Sequence, residues 1–81
     1  MKAEARELYV YTKDHFEADL NKISPTCVSP IIATRQVVNK AIDKYIKDYC
    51  TKETQKTDIF SHEDFTEVSN TLHDEIMNRN L

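Results

Sequence analysis

The sequence predicts an all-α fold, a small antiparallel bundle of three helices that forms one domain over residues 1–81. The chain has no glycine among its 81 residues, whereas average usage would place about six there. Tight primed turns and phosphate-binding loops require glycine, so hairpins and nucleotide-binding folds are disfavoured. Three separate stretches repeat apolar residues at spacings of three and four, which is the period of an amphipathic helix.

The first predicted helix covers residues 3–22. Its opening part, ELYVY at residues 7–11, also alternates as a strand does. A strand leaves Phe16, Leu20 and Ile23 unexplained, whereas a helix places them on one stripe about 120° wide. That stripe consists of Ala5, Leu8, Tyr9, Thr12, Phe16, Leu20 and Ile23.

The second predicted helix covers residues 30–52. Ser29 is a good N-cap, and Pro30 suits the first helical position. The apolar face approaches half of the circumference, wider than the stripe of roughly 100° on a surface helix, so we expect this helix to contact both others. The face consists of Ile31, Val37, Val38, Ala41, Ile42, Tyr45, Ile46 and Tyr49.

The third predicted helix covers residues 62–78. Ser61 stands at its N-cap and Asp64 at the acidic position of a capping box, while Phe60 can pack onto Phe65 as a hydrophobic staple. Phe65 then begins an apolar repeat at helical spacing. The repeat consists of Phe65, Val68, Leu72 and Ile76.

Two connections separate these helices. The first, SPTCVSP, contains two prolines, and the second, TKETQKTD at residues 51–58, has no apolar period. Connections of this length suit antiparallel neighbours, so an up-down-up arrangement is the simplest. Cys27 and Cys50 are expected to be free thiols, because a chain without a leader is expected to be cytosolic.

Nothing in the sequence is typical of an enzyme. His15, His62 and His73 follow no metal-ligand spacing, and no glycine is present for an oxyanion hole. We therefore expect a non-enzymatic protein with no catalytic residues, no metal and no cofactor. The chain also lacks the apolar segments of a signal peptide or a membrane span, which predicts a cytoplasmic location.

Protein binding is the main functional prediction. Val10 and Tyr11 lie off the apolar stripe of the first helix, where they either cover the end of the bundle or form part of an interface. Ile32 and Ile46 lie at the margin of the wide second helix, as in a dimer or host-protein interface. The predicted partner-binding residues are Val10, Tyr11, Ile32, Ile46, Glu63, Glu67 and Asp74.

The charge is unevenly distributed along the chain. Residues 31–52 carry a net charge of +3 and residues 53–81 a net charge of −5. Either the second and third helices complement each other, or the acidic third helix attracts a basic partner. The resulting prediction is a small protein that binds and regulates or inhibits another macromolecule. The partner is a protein, a second copy of the chain, or both. Regulators, antitoxin or immunity proteins and phage inhibitors of host defence, such as anti-CRISPR proteins, act in this way.

DNA binding is the alternative function. The polar and apolar positions follow the pattern of a helix-turn-helix recognition helix over residues 34–46, TRQVVNKAIDKYI. Two observations oppose DNA binding. Pro30 would fall inside the first helix of a helix-turn-helix, and the net charge of −3 is opposite in sign to the basic surface that is usual in DNA-binding proteins. The alternative is a transcriptional regulator that contacts DNA through Arg35, Gln36, Asn39, Lys40, Lys44 and Lys47.

Overall fold

The computed structural model describes residues 1–24, 26, 28–49 and 59–79. In these residues the chain forms three helices and no strand, which confirms the predicted all-α three-helix bundle. The helices are α1 (Ala3–Asn21), α2 (Pro30–Tyr49) and α3 (His62–Asn78). Some predictions fall outside the described residues: the end of the second helix at 50–52, the linker at 51–58, Cys27 and Cys50.

Two of the helices begin where local sequence signals place them. The Ser61 hydroxyl accepts a hydrogen bond from the Asp64 N–H at 3.1 Å, and Asp64 Oδ2 accepts one from the Ser61 N–H at 3.3 Å. This is the predicted capping box, and Phe60 beside it is buried in the core. Helix α2 begins at Pro30, and the carbonyl of Ser29 accepts a bond from its first turn.

Helix α1 bends at Phe16, where φ is −128° and ψ is 26°. One turn earlier, the buried Thr12 hydroxyl donates a 2.7 Å hydrogen bond to the Leu8 carbonyl. A threonine hydroxyl bonded to the carbonyl four residues earlier often bends a helix. Phe16, predicted in the core stripe, is only partly buried at this bend, whereas Leu20 beyond it is buried.

Contacts between the helices define an up-down-up arrangement. Tyr45, in the last turns of α2, bonds to Glu7 near the start of α1, so these two helices are antiparallel. Arg79 at the end of α3 bonds to Asn21 at the end of α1. Helices α1 and α3 are therefore parallel, with α2 antiparallel to both.

The buried core lies where the three helices meet. It contains most of the residues predicted from the apolar stripes. Separately, none of the described helices has the length and apolar character needed to cross a membrane. Tyr49 departs from the prediction, because its side chain at the end of α2 is 66% exposed. The buried apolar residues are Ala5, Leu8, Tyr11, Leu20, Ile23, Val37, Val38, Ala41, Ile42, Phe60, Val68, Leu72 and Ile76.

The predicted position of Tyr11 outside the core was wrong. Tyr11 is 7% exposed, because α2 crosses α1 on the side where this ring projects. Tyr45 and Tyr49 cover it, with ring centroids at 5.2 and 6.2 Å. A helical wheel gives only the direction of a side chain, whereas burial depends on the neighbour that lies in that direction. Val10, the adjacent residue, is 48% exposed as predicted.

Candidate functional site

A groove of about 300 Å³ runs along the surface between α1 and the last turns of α2. It has an aromatic floor and carboxylates at its edge, and we call it the tyrosine groove. Among the described residues, no lysine or arginine lines it. The lining residues are Glu7, Val10, Tyr11, Asp14, His15, Tyr45 and Tyr49.

Helical spacing brings these side chains together. On α1, Glu7, Tyr11 and Asp14 follow one another at intervals of four and three residues, which places them on one side of the helix. On α2, Tyr45 and Tyr49 are four residues apart and therefore neighbours on the surface. Because the two helices are antiparallel, the middle of α1 lies against the end of α2.

The rings of the groove contact one another in tilted and edge-to-face arrangements. The Tyr45 and Tyr49 ring centroids are 4.8 Å apart, with an angle of 46° between the ring planes. The angle between the ring planes of Tyr45 and Tyr11 is 80°. The His15 ring lies 4.2 Å from that of Tyr11. Tyr45 also packs edge-on against the buried Phe60, 5.1 Å away. Such packing orients the rings, and the floor of the groove is therefore anchored to the core.

Two tyrosine hydroxyls of the groove donate to carboxylates on the opposite helix. Tyr11 bonds to Asp48 at 2.8 Å and Tyr45 to Glu7 at 2.6 Å. Burial, and then the bond to Asp48, raise the pKa of the Tyr11 phenol well above its ordinary value. The same bond, together with one from Lys44, lowers the pKa of Asp48. The Tyr11 phenol is thus neutral and the Asp48 carboxylate ionised at neutral pH.

The exposed apolar surface of the groove comes from Val10 and Tyr49. Val10 is 48% exposed and Tyr49 is 66% exposed. Val10 also lines a second, more open depression of about 450 Å³, formed with Met1, Ala3, Arg6 and Glu7. The concave surface therefore continues along α1 beyond the groove, and Val10 and Glu7 line both hollows.

The other predicted apolar contacts do not join this surface. Ile32 is 53% exposed in the first turn of α2, but Ile46 packs partly against the core. Fourteen residues of helix separate the two, a distance of about 21 Å at 1.5 Å per residue. They therefore do not form one patch with each other, and Ile32 lies far from Val10.

The predicted acidic residues of α3 face two ways. Glu67 lies 3.5 Å from the amino group of Met1, and Glu63 lies 3.8 Å from the Lys2 ammonium. Both acids thus pair with the two residues that precede α1, whereas one of the two explanations offered by the sequence was complementarity between α2 and α3. Asp74 is largely exposed, with the His73 ring 3.8 Å away.

The candidate DNA-contacting residues lie on the outer side of α2. Arg35, Gln36, Lys40 and Lys47 are exposed, and so is Asn39. Lys44 is less exposed, and its ammonium pairs with Asp48 at 3.2 Å. This pair connects the basic side of α2 with the edge of the tyrosine groove and reduces the positive charge available to a phosphate backbone.

A second cleft, between α1 and α3, has a volume of about 240 Å³. Its lining alternates in charge: Lys13 is 3.2 Å from Glu75, and Tyr9 donates a hydrogen bond to the same carboxylate. At the end of the cleft, Arg79 donates to Asn21 and to the Leu20 carbonyl. These partners hold the charged groups to each other, so the cleft joins α1 to α3.

No group of three potential metal ligands occurs among the described residues. Sequence reasoning identified Val10 but missed the groove, because it assigned Tyr45 and Tyr49 to the core and gave His15 no role. The pair of tyrosines four residues apart at the end of α2 could have indicated the groove from the sequence.

Comparisons of the chain with protein-family models, curated proteins and solved structures found no match in any of the three.

Proposed function

We propose that this protein is a non-enzymatic binding protein that recognises a segment of another protein in the tyrosine groove and regulates or inhibits that partner in the cytoplasm. One observation carries the proposal: Val10 and Tyr49 are both about half exposed or more, and both line the same concave surface. Tyrosine is enriched in the buried centre of protein interfaces, where its rigid ring supplies contact area at little entropic cost.

The groove has the anatomy of an interface anchor. Its floor is apolar and fixed by ring packing, whereas Glu7 and Asp14 form a polar edge. A standard interface buries about 800 Å² on each partner, so the groove forms only the centre of one. The depression that continues past Val10 to Met1 extends the surface along α1.

Selection from a library of displayed peptides tests this proposal. We expect the wild-type chain to enrich peptides that Val10→Lys and Tyr49→Ala variants fail to retain. Ile32→Lys is the matched control, since it makes the same apolar-to-charged change at an equally exposed position away from the groove. Circular dichroism melts establish that each variant remains folded, as expected for exposed positions.

Two results would overturn the proposal. Peptides retained equally by the Val10→Lys and Ile32→Lys variants would place binding elsewhere on the surface. No enrichment, combined with salt-dependent binding of a labelled DNA duplex that Lys40→Glu abolishes, would favour the DNA-binding alternative. Sedimentation at increasing concentration distinguishes a third outcome, in which the groove is occupied by a second copy of the chain.

A further inference from the structure

We infer that the tyrosine groove is a binding site for one cationic side chain of the partner, with arginine as the preferred residue. The inference rests on the proposed function and names the chemistry that the groove recognises. Its basis is the combination of tyrosine rings and carboxylates in one concave surface from which, among the described residues, lysine and arginine are absent.

The rings provide the first half of the site. Tyr45 and Tyr49 lie 4.8 Å apart and at 46° to each other, so their rings are in contact and form one aromatic surface on the floor of the groove. A guanidinium binds over the face of a tyrosine ring through the negative potential of the π system. Because Tyr49 is exposed and Tyr45 partly exposed, ring surface is accessible from solvent.

The hydrogen bonds of the tyrosines fix the polarity of the site. Tyr45 donates its hydroxyl proton to Glu7, and Tyr11 donates its own to Asp48. These two phenols therefore use their donors within the protein, and the carboxylates remain acceptors. A ligand that supplies donors satisfies this lining better than one that supplies acceptors, which favours a guanidinium or ammonium over a carboxylate or phosphate.

The charges at the edge provide the second half. Glu7 and Asp14 are seven residues apart on α1, two turns of helix that lie about 10 Å from end to end. Both line the groove, and the rings lie alongside them. The depression beyond Val10 differs because Arg6 lines it. Glu7 lines that depression too, but Arg6 offsets its charge there, so a cationic side chain is attracted more strongly to the groove.

The size of the groove limits the occupant. A volume of about 300 Å³ is at the lower end of ligand pockets, which suits one side chain better than a cofactor. Arginine fits the lining better than lysine, because its planar fork can stack on a ring and donate to a carboxylate at the same time. The rest of the partner segment would lie over Val10 and along α1.

Titration of the full chain with N-acetyl-arginine-methylamide tests the inference, with nuclear magnetic resonance as the readout. The citrulline analogue is the matched control, since it keeps the shape of arginine and removes the charge. We expect arginine to shift the ring resonances of Tyr45 and Tyr49 and the methyl resonances of Val10. Citrulline should leave them unchanged, and the lysine analogue should bind more weakly than arginine.

Variants separate the two halves of the site. Tyr49→Ala should weaken arginine binding about tenfold by removing the most exposed ring on which the guanidinium can stack. Glu7→Gln should weaken it about fivefold and reduce its dependence on salt. Asp74→Asn makes the same carboxylate-to-amide change on α3, outside the groove, and should leave the affinity unchanged.

Four outcomes are informative. Equal shifts with citrulline, or arginine shifts confined to residues outside the groove, would overturn the inference. Groove-dependent peptides that lack a basic residue would also overturn it, yet would leave the proposed function intact. Arginine binding in the groove without any selected peptide would instead support the cation site and remove the support for a protein partner.

Discussion

The Tyr11 hydroxyl donates a 2.8 Å hydrogen bond to Asp48 Oδ2 and thereby ties the middle of α1 to the last turn of α2, across 37 residues of sequence. The phenol is buried, whereas the carboxylate is exposed and also pairs with Lys44 at 3.2 Å. The bond shifts both groups in opposite directions: the pKa of Tyr11 rises and that of Asp48 falls. The contact beneath the tyrosine groove therefore depends on pH at both extremes.

In acid, Tyr11→Phe should flatten the pH dependence of stability. Because the folded pKa of Asp48 is lowered, its contribution is present above the unfolded value of about 3.9 and is lost as the pH falls through the folded value. Urea unfolding from about pH 5 to about pH 2 measures this. We expect the difference between wild type and Tyr11→Phe to shrink across that range.

The control for the acid experiment is the same substitution in an Asp48→Asn background. There Tyr11→Phe should change stability by an amount that does not depend on pH, since no carboxylate remains to titrate at position 48. An undiminished pH dependence in that background would show that another group is responsible.

In alkali, Tyr9 and Tyr11 should ionise at a higher pH than an ordinary tyrosine. The pKa values of Tyr11 and Tyr9 are both raised, in each case first by burial and then by a hydrogen bond to a carboxylate. A raised tyrosine pKa contributes stability below the ordinary value of about 10 that is lost as the pH rises through the folded value. The near-ultraviolet absorbance of phenolate reports this ionisation, and Tyr11→Phe should remove a late step. A titration whose late part is unchanged by Tyr11→Phe would contradict the prediction.

Tyr11→Ala and Tyr49→Ala should differ sharply in stability. Tyr11 is buried against three rings, so its truncation should cost about 3 kcal/mol, as for a core aromatic. Tyr49→Ala should change stability by less than about 0.5 kcal/mol, because the side chain is mostly exposed. Denaturant unfolding measures both. A large loss from Tyr49→Ala would mean that this ring has a structural role and is unsuitable as a probe of binding.

Ser61→Ala should destabilise the protein by about 1 kcal/mol, since it removes the oxygen that accepts the Asp64 N–H. Ser61→Gly is the informative control, because glycine at an N-cap costs only a few tenths of that amount relative to serine. Thermal unfolding followed by circular dichroism measures both variants. Equal losses from alanine and glycine would assign the effect to something other than capping.

Ser69→Ala should stabilise the protein by about 1 kcal/mol. The Ser69 side chain is 0% exposed, and its hydroxyl has no hydrogen-bond partner among the described residues. Burying an unpaired hydroxyl is costly, and alanine also has the higher helix propensity. Thr34→Val is the control, because the buried Thr34 hydroxyl does donate to the Pro30 carbonyl, at 2.8 Å. A loss of stability from Ser69→Ala in urea unfolding would contradict the prediction.

Helix positions were predictable because their signals are local. The capping box of Ser61 and Asp64 spans four residues, and Pro30 starts α2 through its own fixed φ angle. The apolar stripes of α2 and α3 likewise reflect spacings within one helix. Such features need no knowledge of what packs against them, so reading the chain was sufficient.

The candidate site was predictable only in part. Val10 is exposed, as its place on the helical wheel indicates. Tyr11, next to it, is buried by rings from α2, and Glu67 pairs with the amino group of Met1, which precedes α1. The burial of Tyr11 and the pairing of Glu67 both depend on how far one helix is shifted along its neighbour and on which faces of the two helices are in contact. No local sequence pattern contains this information.

The amino-acid sequence thus determined the helical class, the starts of α2 and α3 and most of the core, since backbone propensity, capping and periodicity act over a few residues. The tertiary structure decided that Tyr11 is covered, that Tyr49 is exposed and that both line one groove with Glu7. The physical reason is the range of the interactions. Burial and partner choice are properties of a pair of helices, and they arise only when segments far apart in the chain pack together.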